Sequence, residues 1–153
     1  MAATPRKFVL DTNCFVDAAR DPGHAIAFEA FCAQAAPGLY LSAVVAAELR
    51  AGARPARARR TLEERILAPY IRRGRVVTPS SAAWEALGTT LAVLGERQGL
   101  ELRRVPRSFV FDILVAHSAR ELGAVLVSRN TRDLERIARV FAFEYAAPYP
   151  SSR

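Results

Sequence analysis

Short apolar runs alternate with stretches of helical spacing along the whole of this 153-residue chain. Residues 7–11 read as a strand, Phe8-Val9-Leu10 running into the turn-like Asp11-Thr12-Asn13. Thr12 or Asn13 is expected to cap a short helix from Cys14 to Ala19. Asp21-Pro22-Gly23 has the composition of a turn. His24 to Ala36 is helical in spacing, and Pro37-Gly38 ends it. Leu39-Tyr40-Leu41 is a second short strand, after which Ser42 caps a helix over about 43–53. Residues 54–73 predict another helix, with Leu62, Ile66, Leu67, Tyr70 and Ile71 on one side and arginines on the other. Arg75 to Pro79 predicts a third strand, and Ser80 or Ser81 starts a helix reaching about Gln98, with Trp84 assigned to the core. A charged loop, 99–106, leads to a helix over 107–122 that Gly123 stops. Ala124-Val125-Leu126-Val127 is a buried strand, Thr131 is expected to cap a helix over 132–139, and 141–143 predicts a last strand. Strands alternating with helices predict an α/β fold, a parallel sheet flanked by helices. The chain reads as one domain, its core spanning about 7–145 and its tail, 148–153, loose.

Three of the apolar runs carry an acid. Asp112 is the one polar residue in Phe109-Val110-Phe111-Asp112-Ile113-Leu114-Val115-Ala116, Asp11 ends the first strand, and Glu48 sits in Ala43-Val44-Val45-Ala46-Ala47-Glu48-Leu49. An ionised carboxylate buried in such surroundings is costly unless something compensates it. In an open parallel sheet, ligands lie beyond the carboxyl ends of the strands. Asp11 lies at that edge, and Asn130 and Asp133 follow strand 124–127 to it. Asp112 and Glu48 are on helices whose turns can face it. The four acids Asp11, Glu48, Asp112 and Asp133 therefore predict one acidic pocket. Carboxylates without neighbouring His or Cys suit a hard cation, Mg²⁺ or Mn²⁺. Such an ion acidifies water for attack on a phosphodiester.

Composition narrows the setting. The net charge is +7, and every basic residue but Lys7 is arginine. Arginine pairs with phosphate and stacks on bases, so the charge points to nucleic acid or an acidic protein partner. Two cysteines, Cys14 and Cys32, fit a reducing compartment and exclude the common zinc arrangements. No apolar stretch is long enough for a membrane helix. The N-terminus runs straight into a strand without room for a signal peptide, so a cytoplasmic location is expected.

Four segments in order resemble the motifs of PIN-domain ribonucleases, and most closely the VapC-type toxins of bacterial toxin–antitoxin pairs. They are Val9-Leu10-Asp11-Thr12-Asn13, Ala47-Glu48-Leu49-Arg50-Ala51-Gly52, Asp112-Ile113-Leu114-Val115-Ala116 and Val127-Ser128-Arg129-Asn130-Thr131-Arg132-Asp133-Leu134. The resemblance covers about residues 8–137. It implies a three-layer α/β/α sandwich with a central parallel sheet, and Mg²⁺- or Mn²⁺-dependent cleavage of single-stranded or loop RNA. It also implies a small inhibitory antitoxin and a homodimer. Carried onto this chain, Asp11, Glu48 and Asp112 are metal ligands, with Asp133 as the fourth, while Asn130 stands where relatives often carry Asn or Asp. Thr12 and Asn13 orient Asp11. Ser128 stands where a threonine is usual, and Phe111 where a small or polar residue is common before the third acid.

Arg129 and Arg132 flank the expected pocket and are candidate RNA contacts, as is Arg50 in a run with arginine at nine positions from 50 to 75. Arg103, Arg104 and Arg107 precede Asp112 and are candidates for the substrate entrance. Asp17 is assigned to a solvated face, and His117 falls off the face of Asp112. The competing readings are a housekeeping PIN nuclease in RNA processing, a DNA nuclease, and an RNA-binding module without catalysis. A phosphotransferase using an aspartyl phosphate would want a second Asp where Asn13 stands.

Overall fold

The computed structural model describes residues 3–152. Five parallel strands form one sheet in the order β3-β2-β1-β4-β5. These are β1 (Lys7–Leu10), β2 (Leu39–Ser42), β3 (Val76–Val77), β4 (Ala124–Val127) and β5 (Tyr145–Ala146). The central pair is in register from Lys7↔Ala124 to Leu10↔Val127. All four residues of β4 and three of the four in β1 are buried. That explains their unbroken apolar character, because helices cover both faces of a parallel sheet. The chain builds outward from β1 to β2 and β3, then returns to the other side of β1 for β4 and β5. The reversal leaves a crevice beyond the ends of β1 and β4, where α/β sheets bind ligands.

Among the described residues eight α-helices accompany the strands: α1 (Thr12–Arg20), α2 (Pro22–Ala35), α3 (Ala43–Gly52), α4 (Ala56–Thr61), α5 (Ala68–Arg72), α6 (Ser81–Gln98), α7 (Arg107–Leu122) and α8 (Thr131–Ala138). Gly123 follows α7 in the left-handed conformation (φ 69°), the stop its sequence predicts. Gly38 is required for another reason. A Cβ there would lie 1.9 Å from the backbone oxygen of Arg6. Gly38→Ala must displace backbone beside the central strands, and an expected loss of about 1–3 kcal/mol in urea denaturation checks this.

Several local expectations are corrected. Asp11, and not Thr12 or Asn13, caps α1, its side chain accepting from Thr12 N. Asp21-Pro22-Gly23 is no free turn. Asp21 caps α2 by accepting from His24 N at 2.8 Å, and Pro22 occupies the first turn, where its missing N–H costs nothing. The helix expected over 54–73 is widened over Leu62–Leu67 into a π-helical turn, with Ala68 N donating to Glu63 O. Pro69 just beyond lacks an N–H and crowds the preceding turn, which the widening relieves.

The strand expected over 75–79 pairs only at Val76 and Val77. The last strand is Tyr145–Ala146, because those are the residues that pair with Leu126 and Val127. The rings of Phe141, Phe143 and Tyr145 do pack in sequence, tilted by 39° and 40° with centroids 5.4 and 5.3 Å apart. Trp84 is 56% exposed, since α6 buries Ala83, Leu87, Thr90 and Leu94 and Trp84 lies just around the helix from that stripe. The expected loose tail is docked in part, with the Tyr149 ring stacked on Phe31 at 5.1 Å. Among the described residues no helix is long and apolar enough to cross a membrane.

Candidate metal centre and nucleic-acid cleft

The end of β1 delivers Asp11 into the crevice, 5% exposed. Its Oδ1 accepts from Thr12 N at 2.8 Å, and its Oδ2 accepts from Ser128 Oγ at 2.7 Å and Asn13 Nδ2 at 3.3 Å. Burial raises its pKa, opposed by the hydrogen bonds from Ser128 and Thr12. Thr12 then reaches the next acid, Oγ1 donating to Glu48 Oε1 at 2.8 Å from α1 to α3. The Glu48 carboxyl is also raised, by burial first, with Thr12 opposing it, Asp11 adding to it and Arg107 offsetting it.

Ser128, fully buried at the end of β4, ties the two strand ends together. Its hydroxyl donates to Asp11 and accepts from Asn13 Nδ2 at 2.9 Å and Asn130 N at 3.1 Å. Asn13 Oδ1 accepts from Arg129 N at 3.0 Å. Asn130 Nδ2 donates to Asp133 Oδ2 at 2.8 Å and reaches Asp112 Oδ2 at 3.5 Å. One network thus runs from Glu48 through Thr12, Asp11, Ser128 and Asn130 to Asp133.

Asp112 projects from the middle of α7 and is 9% exposed. Its carboxyl is pushed up to about 8, by burial first and then by the like charges of Asp11, Asp133 and Glu48. Among the described residues no lysine or arginine forms an ion pair with Asp11, Glu48 or Asp112. These three acids line one cleft of about 260 Å³ together with Asn130, Ser108 and Arg129. Asp133 stands behind Asn130, also 3.5 Å from Arg136, and does not line that cleft. Asn130 therefore occupies the wall where Asp133 was the expected fourth ligand.

The donor set suits a hard cation by type and by charge, with carboxylate and amide oxygens and no ion pair to the three acids. The nearby thiol of Cys14 is turned to Val127 O at 3.4 Å and is pushed up to about 12 by burial and by Asp11. Among the described residues no three His, Cys, Asp or Glu side chains lie together as a group that could hold a metal ion as they stand.

The basic candidates divide. Arg129 lines the cleft, its Nε held by Asp17 Oδ2 at 2.8 Å, so Asp17 is a partner in the site and not part of a solvated face. Arg132 is exposed on α8 beside it. Arg50 does not line the cleft, because Glu63 takes its guanidinium at 2.5 and 3.0 Å. Arg107 lies with Glu48 and Phe111 in an adjoining hollow. Sequence reasoning missed Ser108, one turn before Asp112 on α7; the spacing of four was the available signal. His117 faces away, 2.8 Å from Glu121.

A PIN-domain family model matches residues 8–140. The chain belongs to the PIN-domain family. Its strand order and helical layers recur in solved PIN-like structures over nearly the full length of both chains. The DNA-bound VapBC of Salmonella typhimurium is 27% identical, with a TM-score of 0.66 over 94% of this chain and 99% of that one. FitAcB of Neisseria gonorrhoeae is 19% identical, with a TM-score of 0.68 over 92% and 97%. VapBC-1 of nontypeable Haemophilus influenzae is 24% identical, with a TM-score of 0.60 over 92% and 96%. No curated protein matches the chain. This PIN domain therefore keeps the central parallel sheet flanked by helices that its sequence predicts.

Proposed function

We propose that this PIN domain is the toxin of a type II toxin–antitoxin pair, an endoribonuclease that hydrolyses single-stranded RNA with Mg²⁺ or Mn²⁺. The observation that carries the reading is the cleft itself, where Asp11, Glu48 and Asp112 meet with no arginine or lysine ion-paired to any of them among the described residues. Similarity to the two-component VapBC and FitAcB structures supports a small antitoxin as partner. A homodimer and a cytoplasmic setting belong to the same reading.

In this reading Asp11, Glu48 and Asp112 hold the cation, and Asn130 orients Asp112 while Asp133 orients Asn130. A bound hard cation supplies an acidified water and neutralises charge developing on the phosphate. Ser128, Thr12 and Asn13 fix the carboxylates through the hydrogen bonds above, so the acids are pre-oriented. Arg129, steadied by Asp17, takes a phosphate oxygen of the RNA, and Arg132 adds to the positive approach. No covalent intermediate with the protein is needed, and in-line attack leaves a 5′-phosphate.

Total cellular RNA incubated with the purified protein, freed of any antitoxin, tests this. Discrete fragments are expected with Mn²⁺ and none with EDTA. Fragments that persist in EDTA would defeat the metal-dependent reading.

A further inference from the structure

A second cavity, of about 520 Å³, adjoins the acidic cleft and shares Arg129 with it. Helices α1 and α2 and the C-terminal segment around Tyr149 enclose it. Its apolar lining is the stacked pair Phe31 and Tyr149, their rings 24° apart in plane, with Ala27, Ala30, Pro148 and Pro150 around them. Its polar groups are Asp17, His24, Gln34 and Arg129, which together supply hydrogen-bond donors and acceptors. The Arg129–Asp17 ion pair stands at the partition between the two cavities. Its nearest contact is through Nε, and among the described residues no hydrogen bond runs from the Nη donors of Arg129.

We propose that this cavity is a base subsite, taking the nucleobase next to the scissile phosphate of a single-stranded RNA while Arg129 binds the intervening phosphate. Bases leave single strands readily, pack on aromatic surface and are read at their edges by polar side chains. An arginine fixed at the partition fits the phosphate that links a base in one cavity to a reacting phosphate in the other. Gln34 and His24 are then specificity-determining residues. The inference rests on the nuclease reading for what happens in the acidic cleft, but not for occupancy of the second cavity.

Two measurements separate these. Fragment ends are sequenced after cleavage by the wild type, by Gln34→Ala, and by Ala30→Trp, which fills the cavity from an exposed position on α2. Loss of one edge contact is expected to change relative use of cut sites roughly tenfold, the equivalent of one hydrogen bond. Independently of cleavage, metal-free protein is irradiated with a short single-stranded RNA carrying 4-thiouridine. Adducts are expected on Phe31, Tyr149 or their neighbours, and are lost in Ala30→Trp. Unchanged cut sites in both variants, with adducts mapping elsewhere, overturn the subsite. Adducts in the cavity without any cleavage by the wild type support the subsite and refute the nuclease reading.

Discussion

Asp112→Asn is expected to yield a metal-free protein more stable than the wild type at pH 8 and slower at cutting RNA by on the order of 10³-fold, equal to about 4 kcal/mol of barrier. The stability half follows from burial and repulsion. The folded protein holds the Asp112 carboxyl up at about 8, against 3.8 ordinarily, because it is buried beside Asp11, Asp133 and Glu48. A raised acid favours the folded state in its protonated form. Its contribution is complete below pH 4 and is lost as pH rises toward 8. The neutral amide of the variant escapes that loss, so the two proteins converge at acid pH and separate at alkaline pH. A difference of about 2 kcal/mol at pH 8 corresponds to roughly 4–8 °C in melting temperature for a chain of this length. Melting curves at pH 5 and pH 8 check the sign. Equal melting temperatures at pH 8 would mean that the acids do not repel one another as the cleft geometry requires.

Ser128→Ala is expected to have the second-largest effect, although Ser128 touches neither metal nor RNA in this account. Its hydroxyl is fully buried and satisfies three groups, the Asp11 carboxylate, the Asn13 amide and the Asn130 N–H. Removing it strands buried polar atoms, at a cost of about 1–3 kcal/mol. It also frees Asp11 to turn, which lowers cleavage by roughly 10–100-fold, the usual scale for a lost residue behind a metal ligand. Ser128→Thr keeps the hydroxyl and is expected to restore cleavage to within a few-fold of wild type. If Ser128→Ala loses stability but cuts normally, the role of the hydroxyl is purely structural.

The sheet and the acids were legible because each rests on strong local physics. Phe8 to Leu10 of β1 and all of β4 are buried, so these are unbroken apolar runs that admit few alternatives. Asp11 and Asp112 stand out as lone acids in such runs. What was illegible depends on partners distant in sequence. Trp84 sits just around α6 from the buried stripe, and no local rule separates those two positions. The pairing of Tyr145–Ala146, and not 141–143, is decided by the register of β4. Asp17 reads as a surface acid until the fold brings Arg129 to it. Arg50 reads as a free cation until Glu63, thirteen residues on, captures it. Residues 54–73 have the spacing of one helix, and the π-turn over Leu62–Leu67 that precedes Pro69 is a tertiary choice.

In the proposed function Asp11, Glu48 and Asp112 share one hard cation. Mn²⁺ titration of the apo protein, followed through the electron paramagnetic resonance of free Mn²⁺, tests it without any substrate. Saturable uptake by the wild type is predicted, weakened at least roughly tenfold in both Asp11→Asn and Asp112→Asn. Uptake of equal affinity in the wild type and both variants would place the metal elsewhere and contradict the account.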